Sequence, residues 1–337
     1  MKKVNFYLGI IALTGLISSC SQHEEMADAG QESKTVTFNV GTDIQIGTRA
    51  AADYTMPEGY QLRYTMMVYN QDWSGADATT GETKTDGTPL KRVEVTSADV
   101  TASATLSTEL EKGTYNFFFF ADFIKSDATP TDGKYGDQWW KFLGYSIAVK
   151  NKTMAMTQND QLAWDGFVGT ELDVVKGDGE INLSVQLKRP MARINFIATD
   201  EDPSAITKAI LAIQPPYLYY KLKEQDVDNT QNTVTETNMS SDNLSGLTKN
   251  STILSYFTMC PKAGGLTPKE YTLTIYTNNN SGAYNKITIP ANIPIKANYI
   301  TNIKGNFLDK ENKNVTYTVT FDPAFEGSDY KGNTTGE

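Results

Sequence analysis

Residues 113–123 read GTYNFFFFADF. A half-buried strand alternates apolar and polar side chains with period two, and the four phenylalanines at 117–120 leave no polar face. The run therefore predicts a strand covered on both sides, as between two sheets. Working outward, TASATLSTEL (101–110) suggests a strand paired with it. TVTFNV (35–40) puts Val36, Phe38 and Val40 on one face, and QLRYTMMVY (61–69) does the same with Leu62, Tyr64, Met66 and Val68. QWWKFLGYSIAV (138–149) reads as loop passing into strand. INLSVQL (181–187) alternates at Ile181, Leu183, Val185 and Leu187.

The second half repeats the style in ITKAILAIQPPYLYYKL (206–222), TILSYFTM (252–259), YTLTIYTNN (271–279), KITIPANIPI (286–295) and VTYTVTFDPAF (315–325). Residues 71–91 and the stretch up to about 248 are polar loops. The helix expected is short, over DPSAITKA (202–209), with Asp202 as cap and Pro203 in the first helical position. Pro190, in KRPMARINFIATD, has no N–H for a ladder and marks a break between strands. The reading is all-β, two β-sandwiches in series: residues 35–187, then 188–325, with a polar tail at 326–337.

Composition agrees. A chain of 337 residues accommodates about two domains. Tyrosine, threonine and valine favour strands. A formal charge of -10 with no Lys/Arg cluster excludes nucleic acid as a partner.

The N-terminus reads as a leader. Lys2 and Lys3 precede an apolar run, Val4 to Ile17, of signal-peptide length. Ile17-Ser18-Ser19-Cys20 resembles a bacterial lipobox, which makes residues 1–19 a lipoprotein signal peptide and Cys20 the lipidated residue that holds the chain to a membrane. Residues 20–34 form an acidic tether. Ser21-Gln22-His23-Glu24-Glu25 is similar to the surface-export tether of Bacteroidetes lipoproteins, so an outer-membrane, surface-exposed location is expected. With Cys20 acylated, Cys260 stands alone and is read as a buried small hydrophobe.

Catalytic chemistry is sparse. His23, the only histidine, lies in the tether. No Ser-His-Asp or Cys-His pair and no His-ligated zinc can form in the body, and no phosphate loop is present. No enzymatic activity, cofactor or metal is expected. Asp160 and Asp165 are the carboxylate pair one would test for glycoside hydrolysis. Asp226, Asp228 and Asn229 lack the glycine and distal glutamate of a calcium loop and read as a surface turn. Trp139 and Trp140, with Trp164, Tyr217, Tyr219 and Tyr220, stack on sugar rings if exposed and otherwise pack in the core.

Several stretches resemble the fimbrillin superfamily of Bacteroidetes, pilin-like lipoproteins of the type V pilus. They are LRYTMMVYN (62–70), LAWDGFVG (162–169), LKRPMARINF (187–196), IPIKANYITNIKGNFL (293–308) and VTFDPAF (319–325). The most specific is Asn298-Tyr299-Ile300-Thr301-Asn302-Ile303 followed by Gly305-Asn306-Phe307-Leu308. The resemblance implies two tandem transthyretin-like β-sandwich domains and a structural or adhesive role at the cell surface, as a pilus subunit or accessory. It also implies proteolysis between Arg49 and Ala50, releasing residues 20–49 with the first strand. Loss of TVTFNV would expose a sheet edge and an apolar floor for a donor strand from a pilin-like neighbour. VTYTVTF supplies the candidate donor, with Val315, Tyr317, Val319 and Phe321 as alternate side chains, or else an ordinary last strand. The alternative function is a surface lipoprotein that captures a host or bacterial glycan on Trp139 and Trp140.

Overall fold

The computed structural model describes residues 33–42, 55–71, 89–100, 102–150, 153–214, 219–227, 237–261, 270–278, 282–289, 293, 295–311 and 315–321. In it, the phenylalanine run lies in β5 (Gly113–Lys125), which is buried from Tyr115 to Ile124. Successive side chains point to opposite faces, and both faces are covered. Phe117 and Phe119 turn one way and meet the Phe38 ring at centroid distances of 4.7 and 4.9 Å. Phe118 turns the other way, to Tyr69 at 5.7 Å, and Phe120 to Phe142 at 5.7 Å and Trp140 at 6.3 Å.

Three sheets account for this. β5 sits in an antiparallel sheet of order β3 (Lys91–Ser97), β2 (Tyr60–Asn70), β5, β9 (Gly166–Lys176). Its Phe117 face is covered by β10 (Ile181–Leu187), β1 (Lys34–Thr42) and β4 (Ala104–Leu110), in that order. Its Phe118 face meets the hairpin of β6 (Trp140–Leu143) and β7 (Ser146–Val149), which continues into β13 (Tyr219–Lys221) and β14 (Asp226–Val227). The strand 101–110 was expected to pair with 113–123. Instead β4 pairs with β1, and β5 pairs with β2 and β9. β3 and β9 escape the alternation rule: β3 is partly exposed and carries Lys91, Arg92 and Glu94, and the first four residues of β9 are buried on both faces.

The C-terminal half builds two further sheets. One has the order β16 (Thr252–Met259), β11 (Met191–Ala198), β19 (Tyr299–Gly305), β20 (Val315–Phe321). The other runs β18 (Asn285–Ile289), β17 (Glu270–Thr277), β12 (Ile206–Gln214), β15 (Thr237–Ser241), β8 (Thr153–Met156). The fold is all-β, with sheets packed face to face around buried alternate side chains.

Two segments cross between the halves on either side of Pro190. β8 runs parallel to β15, and β13 pairs with β7. The expected helix at 202–209 shrinks to one 3-10 turn, Pro203–Ala205, with Asp202 accepting from the Ser204 N–H at 3.0 Å. From Ile206 the chain is strand, because pairing on both sides by β15 and β17 overrides helix propensity. The one α-helix described, α1 (Gln158–Leu162), begins in a capping box of Thr157 and Asp160. Its Gln161 side chain accepts from the Ser255 N–H at 2.6 Å and so fixes α1 on β16.

Candidate functional site

Alternation in TVTFNV makes β1 what it is. Val36, Phe38 and Val40 are fully buried, while Asn39 is exposed and Thr37 shares a hydrogen bond with Ser107 at 3.0 Å. The strand is parallel to β10 from Val36↔Ile181 to Thr42↔Leu187, and antiparallel to β4 from Lys34↔Leu110 to Val40↔Ala104. It is therefore an inner strand of its sheet. Removing it would leave two facing edges, β10 and β4, over a floor of Phe117 and Phe119. Burying each of three apolar side chains is worth about 1.5–3 kcal/mol, so such a slot is costly to leave empty. Arg49, Ala50 and Cys20 lie outside the described residues.

β20 takes the last place in its sheet, antiparallel to β19 from Tyr299↔Phe321 through Ile303↔Tyr317 to Gly305↔Val315. Val319 opposes Thr301 in the same ladder. Residues 35–38 and 318–321 both read TVTF. The two copies stand near opposite ends of the chain, so no short period relates them.

The Asn298–Leu308 motif is structural. Asn298 has φ +69, a left-handed conformation that asparagine tolerates, and its N–H donates to the Met191 carbonyl at 2.9 Å. The Asn302 side chain accepts from Asn195 Nδ2 at 2.9 Å. A Cβ on Gly305 would lie 2.8 Å from Phe307 Cε1, so the close turn excludes larger residues. Asp200 accepts from the Phe307 and Leu308 N–H groups, each at 2.9 Å, and Asn285 Nδ2 donates to the Phe307 carbonyl at 2.9 Å.

The other candidate residues are placed as follows. Trp139 is 7% exposed, Trp140 and Trp164 1% each. Trp140 stacks at 5.9 Å on Trp164, which meets Tyr256 at 5.6 Å. These three tryptophans therefore offer no exposed platform for a sugar, because they pack in the layer beneath β5. Tyr220 is buried, Tyr219 is partly buried and packs against the core, and Tyr217, Asp228 and Asn229 lie outside the described residues.

Asp160 and Asp165 do separate structural work. Asp160 caps α1, accepts from the Tyr60 hydroxyl and lies 3.0 Å from Lys125 Nζ. Burial opposes its charge, but the bonds from Tyr60, Lys125 and Thr157 and the Lys125 charge prevail and hold the carboxyl below the ordinary carboxylate range. Asp165 is fully buried against Arg189 at 2.7 Å. Cys260 is 3% exposed, and burial pushes its thiol up to about 12, which makes it a poor nucleophile.

Among the described residues a dense charge cluster joins Arg63 of LRYTMMVYN to Asp122 of GTYNFFFFADF, a pairing that neither motif shows by itself. Arg63, fully buried, forks onto Asp122 with two bonds of 2.8 Å. It also reaches Asp137 at 3.2 Å, while Arg92 binds Glu94 at 2.6 Å and covers the Phe142 ring at 4.3 Å. The cluster ties β2, β3 and β5 to the loop before β6.

A family of unknown function, DUF6562, matches residues 28–336, and the chain belongs to that family. No curated protein matches it. Among solved structures it is similar to a DUF1812 protein of Bacteroides thetaiotaomicron VPI-5482, named as a candidate polysaccharide binder, at 10% identity and TM-score 0.45, covering 85% of this chain and 95% of that one. A fimbrial assembly protein of Parabacteroides distasonis ATCC 8503 gives 13% and 0.41 (86% and 96% covered). The tip fimbrial protein Mfa3 of Porphyromonas gingivalis, truncated at its C-terminus, gives 11% and 0.42 (86% and 99% covered). Likeness at this identity and TM-score defines neither a function nor a partner.

Proposed function

We propose that the chain is a fimbrillin-like protein of the cell surface, structural or adhesive in role. It reaches the outer membrane as a lipoprotein anchored through Cys20 and, once residues 20–49 are lost, joins pilin-like subunits by strand addition in the place of β1. The observation that carries this reading is the position of β1: an inner strand with three fully buried alternate side chains. Arg49-Ala50 lies seven residues beyond its last residue, Thr42. A cut there leaves β1 held by its two ladders and its side-chain contacts alone. When it departs with residues 20–49, main-chain groups of β10 and β4 and the pockets of Val36, Phe38 and Val40 become available together. The donor is the strand of Val315, Tyr317, Val319 and Phe321 from another copy. In the register of the shared TVTF, Val319 and Phe321 fall in the places of Val36 and Phe38.

The alternative, a lipoprotein that captures glycans on Trp139 and Trp140, loses its platform to the burial of both rings. The test is the N-terminal residue of protein taken from the cell surface, together with its assembly state after trypsin-like treatment. A free Ala50 and heat-stable oligomers are expected. Acylated Cys20 with only clipped monomers after protease would reject assembly and leave an anchored, unassembled lipoprotein.

A further inference from the structure

A strand lying in the place of β1 and running the same way has a fixed exit. β1 is parallel to β10 from Val36↔Ile181 to Thr42↔Leu187, so its C-terminal end lies beside Leu187 and its start beside Ile181. A cavity of about 710 Å3 opens at the exit, where β9 and β10 meet the turns before β11 and β19. That is within the size range of ligand pockets. Val185 and Gln186, which pair with Val40 and Gly41, both line it, and so does Lys188, next in the chain after Leu187. Its apolar lining includes Pro261 and Ala297, both partly exposed, with the nearly buried Val168, Val185 and Tyr220. Lys188 and Lys296 are exposed there, whereas Arg189 is paired with Asp165 at 2.7 Å. Two exposed lysines would accept any anion. What singles out an occupant is the chain that the strand delivers to them.

In the register of the shared TVTF, the donor continues past Phe321 with Asp322 in the place of the exposed Asn39 and Pro323 in that of Val40. Proline has no N–H for a ladder, so pairing stops there, opposite Val185 on the cavity wall. Ala324, Phe325 and Glu326 follow. An extended residue spans about 3.3–3.6 Å, which gives these three a reach of about 10 Å. Their side chains suit the lining: an aromatic ring for the apolar groups, then a carboxylate for the lysines. From 322 to 337 the chain carries four carboxylates, Asp322, Glu326, Asp329 and Glu337, against the single lysine Lys331. We infer that residues 324–326 of the donor copy occupy this cavity of its neighbour, with Phe325 as anchor and Glu326 facing Lys188 and Lys296. This rests on the strand replacement proposed above and adds a second contact to it. A donor in the opposite direction would carry the same residues to the Ile181 end, so the anchor also selects the orientation parallel to β10.

The test assembles the full chain, cut after Arg49, from equal amounts of ordinary and isotope-labelled protein carrying the photocrosslinker p-benzoylphenylalanine at position 325. Crosslinks between an ordinary and a labelled copy should map by mass spectrometry to the cavity lining, Pro261 and Ala297 among them. In a second measurement without the crosslinker, chain exchange between ordinary and labelled oligomers should run about tenfold or more faster for Phe325→Ala than for wild type, because losing a buried aromatic anchor acts chiefly on dissociation. Wild-type protein that forms no oligomers would reject strand replacement, and this inference with it. Oligomers that form but crosslink away from the lining or only within one copy, or that exchange at the wild-type rate with Phe325→Ala, would leave strand replacement standing and overturn the seat proposed for residues 324–326.

Discussion

Arg63 shows how a single side chain can hold several elements. Fully buried and forked onto Asp122, it satisfies a carboxylate that β5 would otherwise bury without a countercharge. Arg63→Met should lower stability by about 3–5 kcal/mol in denaturant unfolding, since it strands Asp122. Adding Asp122→Leu should recover much of that loss, because a neutral pair removes the stranded charge. A loss below about 1 kcal/mol for the single variant would contradict this role. Asp160 gives a pH test. Its carboxyl is held below the usual range, so its contribution is present above the unfolded-state value of about 3.9 and fades as pH falls through the folded value. The stability gap between wild type and Asp160→Asn should therefore be constant from pH 7 to 5 and close below about pH 4. A gap unchanged at the acid end would reject it.

Among elements, β1 is the decisive one. Phe38 lies between Phe117 and Phe119, so Phe38→Ala should cost about 3–5 kcal/mol, read from the urea midpoint. Asn39→Ser, on the exposed face, should stay within about 0.5 kcal/mol. Equal effects would mean that β1 does not seat in this register. Alternation alone makes β1 and β10 legible in the sequence, because each buries chiefly one row of side chains; β2 is buried on both faces, with Arg63, Thr65, Met67 and Tyr69 buried as well as Leu62, Tyr64, Met66 and Val68. The both-sided burial of β5 is legible from four consecutive phenylalanines. What covers its second face is not: that depends on how the loop between Lys125 and Trp140 turns β6 and β7 back over β5, which the pattern within a single strand does not encode. β3 is hidden by its charges, whose partners Arg63 and Asp137 come from other segments. α1 is hidden by its shortness, though Thr157-x-x-Asp160 is a capping signal.

For the whole molecule, the inner placement of β1 matters most. An edge strand could be lost with one ladder; an inner strand opens two, and its replacement recovers both. The site's chemistry was only partly visible beforehand. Trp139, Trp140 and Trp164 suggested a sugar platform and are buried, whereas the cavity between β9, β10 and the turns near Gln225, Cys260 and Asn298 is lined by residues that no local pattern brings together. The shared TVTF was visible in the sequence, but its meaning depends on where the first copy sits.

The most direct measurement uses protein cut after Arg49 and freed of residues 20–49, mixed with a peptide of residues 315–325 and weighed by native mass spectrometry. Strand replacement predicts a one-to-one complex, lost when the peptide carries Val319→Asp and Phe321→Asp. A cleaved body that takes up neither peptide, or both equally, would contradict it.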